Sequence, residues 1–237
     1  MEIANNRNNV LVTGADRGIG LGFVRHYLEN GGQVVATSRR TRSTDDLVEL
    51  TEEYAGRLCV VPLDVTDEAS ISQFAKDIGT QGITFGVVIS NAGVTVEESF
   101  GQWTSRTFEI NFLVNTVGPA LLVQAVDPYL EEGARVIQIS SGMRSTGRNI
   151  NPENGLDAYA VSKCGLNILS RRLAEKLRPR NIVVVSLDPG WVRTDMGGPE
   201  APTSVDESVS AMVSTINRIG AGDTGSFLAR DGKAIPW

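Results

Sequence analysis

The sequence Thr13-Gly14-Ala15-Asp16-Arg17-Gly18-Ile19-Gly20 joins a short apolar run, Val10-Leu11-Val12, to a segment at residues 21–30 that can form a helix. Its three glycines allow the backbone to turn tightly and to approach a pyrophosphate, and the N-terminus of the helix offers N–H groups and a partial positive charge. Glycine-rich turns between a strand and a helix also occur for steric reasons alone. The position after a first strand and before a first helix is the context that a dinucleotide-binding motif requires, so the stretch predicts a dinucleotide site.

The alternation of strand and helix continues along the chain. Near-continuous apolar runs, typical of parallel strands covered on both faces, lie at residues 33–37, 58–61, 86–89, 135–139 and 182–187. Helix-length segments lie at residues 68–78, 103–130 and 158–177. This order predicts one α/β domain over residues 1–237, a Rossmann-type doubly wound parallel sheet with helices on both faces. The one long irregular region, residues 189–204, has a length that is usually functional.

Composition excludes several classes of protein. The 22 basic and 28 acidic residues give a net charge of −6, so a nucleic-acid partner would need a segregated basic patch, and none is visible. No apolar run approaches the roughly 20 residues that span a bilayer, and the polar residues 1–9 do not resemble a signal peptide. Cys59 and Cys164 are too few and too far apart for a disulfide framework or a zinc site. We expect a cytoplasmic protein that binds neither nucleic acid, membrane nor metal.

Further motifs follow the later strands and mark one helix. They are Leu63-Asp64-Val65, Asn91-Ala92-Gly93, Ser140-Ser141, Tyr159-Ala160-Val161-Ser162-Lys163 and Pro189-Gly190-Trp191-Val192-Arg193-Thr194. Together with the glycine-rich turn, and in this order, they resemble the short-chain dehydrogenase/reductase family over nearly the whole chain. The C-terminal residues 225–237 resemble the ending of a subgroup that includes C-factor-like and Sniffer-like carbonyl reductases.

Tyr159 and Lys163 are the residues whose chemistry is easiest to interpret. Their spacing of four places them on one helix face, about one turn apart. An adjacent ammonium favours the phenolate and lowers the pKa of a tyrosine from its ordinary value near 10, so Tyr159 can donate a proton to a carbonyl oxygen or accept one from an alcohol. The alternative is a packed aromatic residue and a solvated lysine. The family resemblance favours catalysis and implies that Lys163 also holds the nicotinamide ribose.

The resemblance implies two more catalytic positions. Ser141 would hydrogen-bond the substrate oxygen, with Ser140 as the alternative hydroxyl, and its distance of 18 residues from Tyr159 indicates an insertion in the loop at residues 142–156. An asparagine in the long helix would support a proton relay. Asn111 and Asn115 are both candidates, and the context Asn-Thr-Val-Gly-Pro favours Asn115.

The end of the second strand indicates which cofactor is preferred. An acidic residue there would bind the ribose hydroxyl of NAD, whereas a small residue followed by arginine accommodates a phosphate. Ser38-Arg39-Arg40, with Arg17 as a second cation, therefore favours NADP(H), although Asp16 could repel a phosphate and the arginine pair could be a solvated loop. The residues expected to contact the cofactor are Gly14, Asp16, Arg17, Gly18, Ile19, Gly20, Ser38, Arg39, Asp64, Val65, Asn91, Ala92, Gly93, Tyr159, Lys163, Pro189, Gly190, Val192 and Thr194.

The function predicted from these motifs is NADPH-dependent reduction of a ketone or aldehyde to an alcohol, with Tyr159 as general acid. The alternatives are an NAD-dependent alcohol dehydrogenase and a non-catalytic nucleotide-sensing protein on the same fold. The residues considered for substrate contact, each equally consistent with plain surface, are Met143, Arg144, Trp191 and Met196. The resemblance also implies a homodimer or homotetramer that pairs through the two long helices.

Overall fold

A seven-stranded parallel sheet forms the centre of the computed structural model, which describes residues 9–39, 45–142, 150 and 153–237. The strands are β1 (Asn9–Thr13), β2 (Val34–Ser38), β3 (Leu58–Pro62), β4 (Phe85–Ser90), β5 (Leu130–Ile139), β6 (Val183–Asp188) and β7 (Phe227–Ala229). Their order is β3-β2-β1-β4-β5-β6-β7. The order changes direction between β1 and β4, where the carboxyl ends of the strands of an open α/β sheet bind ligands. The predicted doubly wound parallel sheet is confirmed.

Helices cover both faces of this sheet. They are α1 (Gly18–Glu29), α2 (Asp45–Glu53), α3 (Glu68–Thr80), α4 (Ser105–Phe112), α5 (Gly118–Val126), α6 (Asp157–Leu177) and α7 (Val205–Arg218). α1, α2 and α7 pack on one face, and α3, α5 and α6 pack on the other. β7, α2 and α7 are absent from the sequence-based prediction. For α7 a signal existed, because Ser204 and Glu207 form the capping box that a serine followed three residues later by glutamate predicts.

The segment predicted as one helix at residues 103–130 is interrupted. After α4, the chain forms a π-helical turn at Leu113–Val117 before α5 begins. A π turn holds more residues than an α turn, and such turns occur frequently at functional sites. At the other end, Leu130 already belongs to β5, where it pairs with Phe85.

The helical stretch Ser105–Tyr129 is long and apolar enough to cross a membrane, contrary to the expectation that no such run exists. Half of its most apolar window is buried inside the protein. The core helix of a globular protein passes the same test, and Leu122, Val123 and Val126 of this stretch pack against the sheet. We therefore attribute its apolar character to packing in the core.

The face covered by α6 changes from apolar to polar toward the carboxyl ends of the strands. Val88, Val136 and Val184 belong to the core cluster on that face. Two residues further along each strand, and therefore on the same face, stand Ser90, Gln138 and Ser186, which are register neighbours and fully buried. The opposite face stays apolar up to Ile89, Ile139 and Leu187. These buried polar residues therefore lie at or near the carboxyl ends of β4, β5 and β6, next to the site.

Candidate active site

The glycine-rich turn connects β1 to α1 with very close backbone contacts. A Cβ atom on Gly20 would lie 2.1 Å from the carbonyl oxygen of Gly14, so only glycine fits there. Gly18 adopts φ +53°, a left-handed conformation that favours glycine. At the N-terminus of α1 the preceding Arg17 is extended, and its side chain does not cap the helix. The first N–H groups of α1 are therefore left without a capping side chain, an arrangement suited to a phosphate.

Asn91 and Thr13 hold the carboxyl ends of β4 and β1 together. The Thr13 hydroxyl accepts the N–H groups of Asn91 and Ala92, both at 3.0 Å. In return, Asn91 Nδ2 donates to the carbonyl oxygens of Thr13 at 2.9 Å and Gly14 at 3.1 Å. These contacts cross the point where the strand order reverses. Asn91 therefore joins the ends of the two strands instead of only forming a local turn.

Asn111 and Asn115 are both buried and make similar bonds to the chain that follows β4. Asn111 binds the N–H and the carbonyl oxygen of Val96. Asn115 accepts the N–H of Val94 and donates to its carbonyl oxygen, both at 2.9 Å. Only Asn115 also reaches α6, because its Nδ2 lies 3.0 Å from Ser162 Oγ.

Tyr159 and Lys163 lie on α6 beside the end of β5. The Lys163 side chain is only 4% exposed, and its Nζ donates to the carbonyl oxygen of Ile139 at 2.8 Å. The same Nζ lies 5.9 Å from the centre of the Tyr159 ring. Ser162, between the two, donates to the carbonyl oxygen of Tyr159 at 2.7 Å, and so links this turn of α6 to Asn115. The predicted pair therefore shares one face near the sheet edge.

The two serines after β5 have different environments. Ser140 is buried and donates to Asn167 Oδ1 on α6 at 2.7 Å, so its hydroxyl proton is engaged in holding the strand to the helix. Ser141 is half-buried at the point where the strand has ended. This difference favours Ser141 as the hydroxyl that can meet a substrate. Most of the loop at 142–156, with Met143 and Arg144, lies outside the described residues.

Cations and a carboxylate lie around the ends of β2 and β3. Ser38 is buried, Arg39 is exposed, and Arg40 lies outside the described residues. Burial alone would raise the pKa of the Asp64 carboxyl, but hydrogen bonds from the Thr66 hydroxyl and N–H, together with the charge of Arg39, lower it. Arg39 is therefore close enough to Asp64 for their charges to interact.

The irregular region after β6 reaches back to the glycine-rich turn. Thr194 Cγ2 would lie 3.3 Å from a Cβ atom on Gly18, and Arg17 Nε lies 3.9 Å from an oxygen of Asp195. Trp191 and Met196 are more than half exposed on this segment. The expectation of a long segment without helix or strand is confirmed, and the segment contacts the glycine-rich turn.

The comparisons with known proteins agree with this architecture. A sequence model described as short chain dehydrogenase matches residues 8–204. The chain belongs to the short chain dehydrogenase family. Among relatives, the C-signal protein of Myxococcus xanthus is 36% identical over 167 residues, which cover 69% of this chain and 98% of the relative.

Solved structures of carbonyl reductases resemble the whole fold. The NADPH-bound carbonyl reductase from chicken fatty liver is 35% identical with a TM-score of 0.91, and the match covers 100% of both chains. The carbonyl reductase Sniffer of D. melanogaster is 30% identical with a TM-score of 0.90, covering 98% of this chain and 100% of that chain. The predicted resemblance to this subgroup is confirmed.

Within this short chain dehydrogenase fold, the predicted site residues gather along the edge formed by the carboxyl ends of the strands. The motifs at 14–20, 63–65, 91–93, 140–141 and 189–194 each follow a strand of the same parallel sheet. Val65 and Val192 are buried, at 5% and 4% exposure.

Two residues that hold this site together, Asn167 and Ser162, were not predicted from the sequence. Asn167, which binds Ser140, lies four residues after Lys163 and so shares its helix face, but a single polar residue in a helix gives no signal of its partner. Ser162 lies inside the Tyr-to-Lys motif, three residues after Tyr159. Its role depends on Asn115, 47 residues away, and only the folded chain brings the two together.

Proposed function

We propose that this short chain dehydrogenase is an NADPH-dependent carbonyl reductase that converts a ketone or aldehyde to an alcohol. The observation that carries the proposal is the Tyr159 and Lys163 pair on α6, with a buried ammonium beside a tyrosine and with Ser141 at the end of the adjacent strand. The carbonyl reductases that resemble this chain over its whole length support it.

The described residues fit NADP(H). The uncapped N-terminus of α1, above a turn where Gly20 touches the backbone of Gly14, suits a pyrophosphate. Gly93 lies beside Lys163, since a Cβ atom there would be 3.7 Å from Nζ, so no side chain of residue 93 stands between the ammonium and a ribose. When bound, the nicotinamide supplies the hydride. Arg39 and Arg17 would hold the additional phosphate of NADP(H), because a guanidinium matches phosphate geometry and Ser38 brings no opposing charge.

The residues of the chain then have separate roles. Tyr159 donates its phenolic proton to the substrate oxygen, and the ammonium of Lys163 stabilises the phenolate that remains. Ser141 hydrogen-bonds the same oxygen and so orients the carbonyl group. Asn115 keeps this turn of α6 in position through Ser162 and ties it to the chain after β4. The family resemblance implies that Asn115 also supports a proton relay.

The test is turnover by the native chain. A panel of ketones and aldehydes is incubated with NADPH or NADH, and the loss of cofactor absorbance is followed. We expect reduction with NADPH preferred. A preference for NADH would support the alcohol dehydrogenase alternative, and cofactor binding without turnover of any carbonyl or alcohol would support a nucleotide-sensing protein.

We also propose that residues 1–237 act as one domain and assemble into a homodimer or homotetramer. The outward faces of α4 and α6, with the turn between α4 and α5, expose apolar side chains, which suits a two-fold interface. These side chains are Phe112, Leu113, Val161 and Ile168. Light scattering that finds only a 25.4 kDa species at micromolar concentration would overturn the assembly. A cytoplasmic location stays a prediction, which cell fractionation would test.

A further inference from the structure

A carboxylate at the end of β6 takes no part in the roles described so far. Asp188 is the last residue of the strand and is half-buried. Its Oδ1 accepts the N–H of Gly190 at 3.1 Å, which helps the chain leave the sheet. That bond uses one oxygen only. Asp188 belongs to none of the ion pairs among the described residues.

The second oxygen of Asp188 lies against the chain that carries Ser141. Ile139 and Leu187 are register neighbours, so the next residues, Ser140 and Asp188, stand side by side on the face covered by α6. A Cβ atom on Gly142 would lie 2.8 Å from Asp188 Oδ2. The carboxylate is therefore packed beside the residue that follows Ser141, and the absence of a side chain at Gly142 makes room for it.

We propose that Asp188 determines substrate specificity and favours carbonyl compounds that carry an ammonium group over neutral or anionic ones. The inference rests on the proposed carbonyl reductase function, because it assigns the carbonyl oxygen to Ser141 and Tyr159. A substrate held there extends past Gly142, where the negative charge of Asp188 attracts a cation and repels a carboxylate. Partial burial strengthens this effect, since the charges are less screened than at an open surface.

Matched probes test the charge preference. The cationic ketone is para-acetylbenzyl trimethylammonium, its neutral isostere is para-neopentylacetophenone, and the anion is para-acetylphenylacetate. For each, kcat/KM is measured with NADPH. We expect Asp188→Asn to lower the cation-to-neutral ratio of kcat/KM by about tenfold, because one charge–charge attraction at a partly buried site is lost, with NADPH affinity unchanged. Comparing ratios between variants cancels the intrinsic reactivity of each probe.

Two further variants separate a local charge effect from a general one. Glu49→Gln removes an exposed carboxylate on α2 and should leave the ratio unchanged. Gly142→Ala should lower the ratio when Asp188 is present, because the new methyl group displaces Oδ2, and should have little effect on it in the Asp188→Asn background. The single variant Gly142→Ala keeps the test valid if Asp188→Asn does not fold.

The outcomes distinguish the two proposals. If the native chain reduces the neutral ketone and neither Asp188→Asn nor Gly142→Ala changes the ratio, the specificity inference is wrong and the carbonyl reductase function stands. If the native chain reduces neither the probes nor any other ketone or aldehyde, the proposed function fails and the inference fails with it.

Discussion

The part of the candidate site around Tyr159 and the part around the ends of β2 and β3 are built differently. Near Tyr159, buried hydrogen bonds join β5, α6 and the chain after β4 through Lys163, Asn115 and Ser162. In the part around the ends of β2 and β3, Arg39 is exposed and the nearby Arg17 side chain is 57% exposed. We refer to these as the catalytic half and the phosphate half.

The difference shows how each half can work. Buried groups held by several hydrogen bonds keep a fixed geometry, which proton transfer requires. Exposed cations act mainly through their charge, which solvent and salt screen, so their geometry can vary without loss of binding. Changes in the catalytic half should therefore affect rate, whereas changes in the phosphate half should affect which cofactor binds.

The largest expected effect comes from Tyr159→Phe, which should impair proton donation in the catalytic half without affecting the phosphate half. The variant keeps the ring but loses the proton donor, and a positioned acid contributes about 10²–10⁴-fold in rate. We expect kcat for carbonyl reduction to fall by about that factor, while NADPH affinity, measured by titration, barely changes.

Tyr54→Phe is the matched control, because Tyr54 follows α2 and packs against Arg57. It should keep native turnover. Lys163→Ala should differ from Tyr159→Phe by weakening both turnover and NADPH binding, since its ammonium serves both. Near-native turnover by Tyr159→Phe would show that the proposed mechanism is wrong.

Arg39→Ala should weaken NADPH binding at the phosphate half and leave the chemistry of the catalytic half unchanged. Loss of one charge-assisted contact to a phosphate costs about 1.5–3 kcal/mol, which should weaken NADPH binding and leave NADH binding nearly unchanged. Titrations of both cofactors at low and high salt check this, and the native preference for NADPH should narrow as salt rises.

Lys76→Ala, which removes an exposed cation on α3, is the control and should not alter the preference. Equal affinities of the native chain for NADPH and NADH, or a preference for NADH, would contradict the cofactor assignment and give Asp16 a deciding role.

Asn111→Ala and Asn115→Ala should distinguish a structural role from an effect on kcat within the catalytic half. Both leave partly buried backbone groups of Val96 or Val94 without their asparagine partner, so each should lower the free energy of unfolding by about 1–3 kcal/mol. Only Asn115→Ala also loses the contact with Ser162. Denaturant unfolding should give similar losses for the two, whereas kcat should fall further for Asn115→Ala. Equal kinetic losses would remove the distinction between them.

The smallest expected effect concerns Asp64, at the phosphate half. Because its pKa in the folded chain is below the unfolded value of about 3.9, the ionised carboxyl stabilises the fold above that pH. This contribution is lost as pH falls through the folded pKa. The stability advantage of the native chain over Asp64→Asn should therefore shrink as pH falls below about 4. Unfolding curves that keep a constant difference between pH 6 and the acid range would refute it.

Much of the fold could be predicted from local patterns. The apolar runs predict six of the seven strands, since parallel strands covered on both faces leave a continuous apolar signature. The strand β7 is not predicted because its three residues at the sheet edge, Phe227–Ala229, are too few to form a recognisable pattern. The π turn at Leu113–Val117 is not predicted either, because the periodicity of apolar residues cannot locate one inserted residue within a long apolar helix.

By itself, the sequence determined the glycine-rich turn before α1 and the spacing of Tyr159 and Lys163, because these depend on residues close together in the chain. The sequence context and the family resemblance already favoured Asn115 over Asn111 and Ser141 over Ser140, but the contacts that differ between the members of each pair appear only in the folded chain. Asn115 and Ser162, like Ser140 and Asn167, are brought together by packing between α6 and distant elements. The contact of Asp188 with Gly142 has the same origin. The physical reason is that a side chain's chemistry is fixed by its type, whereas its partners and exposure are fixed by segments far away in sequence.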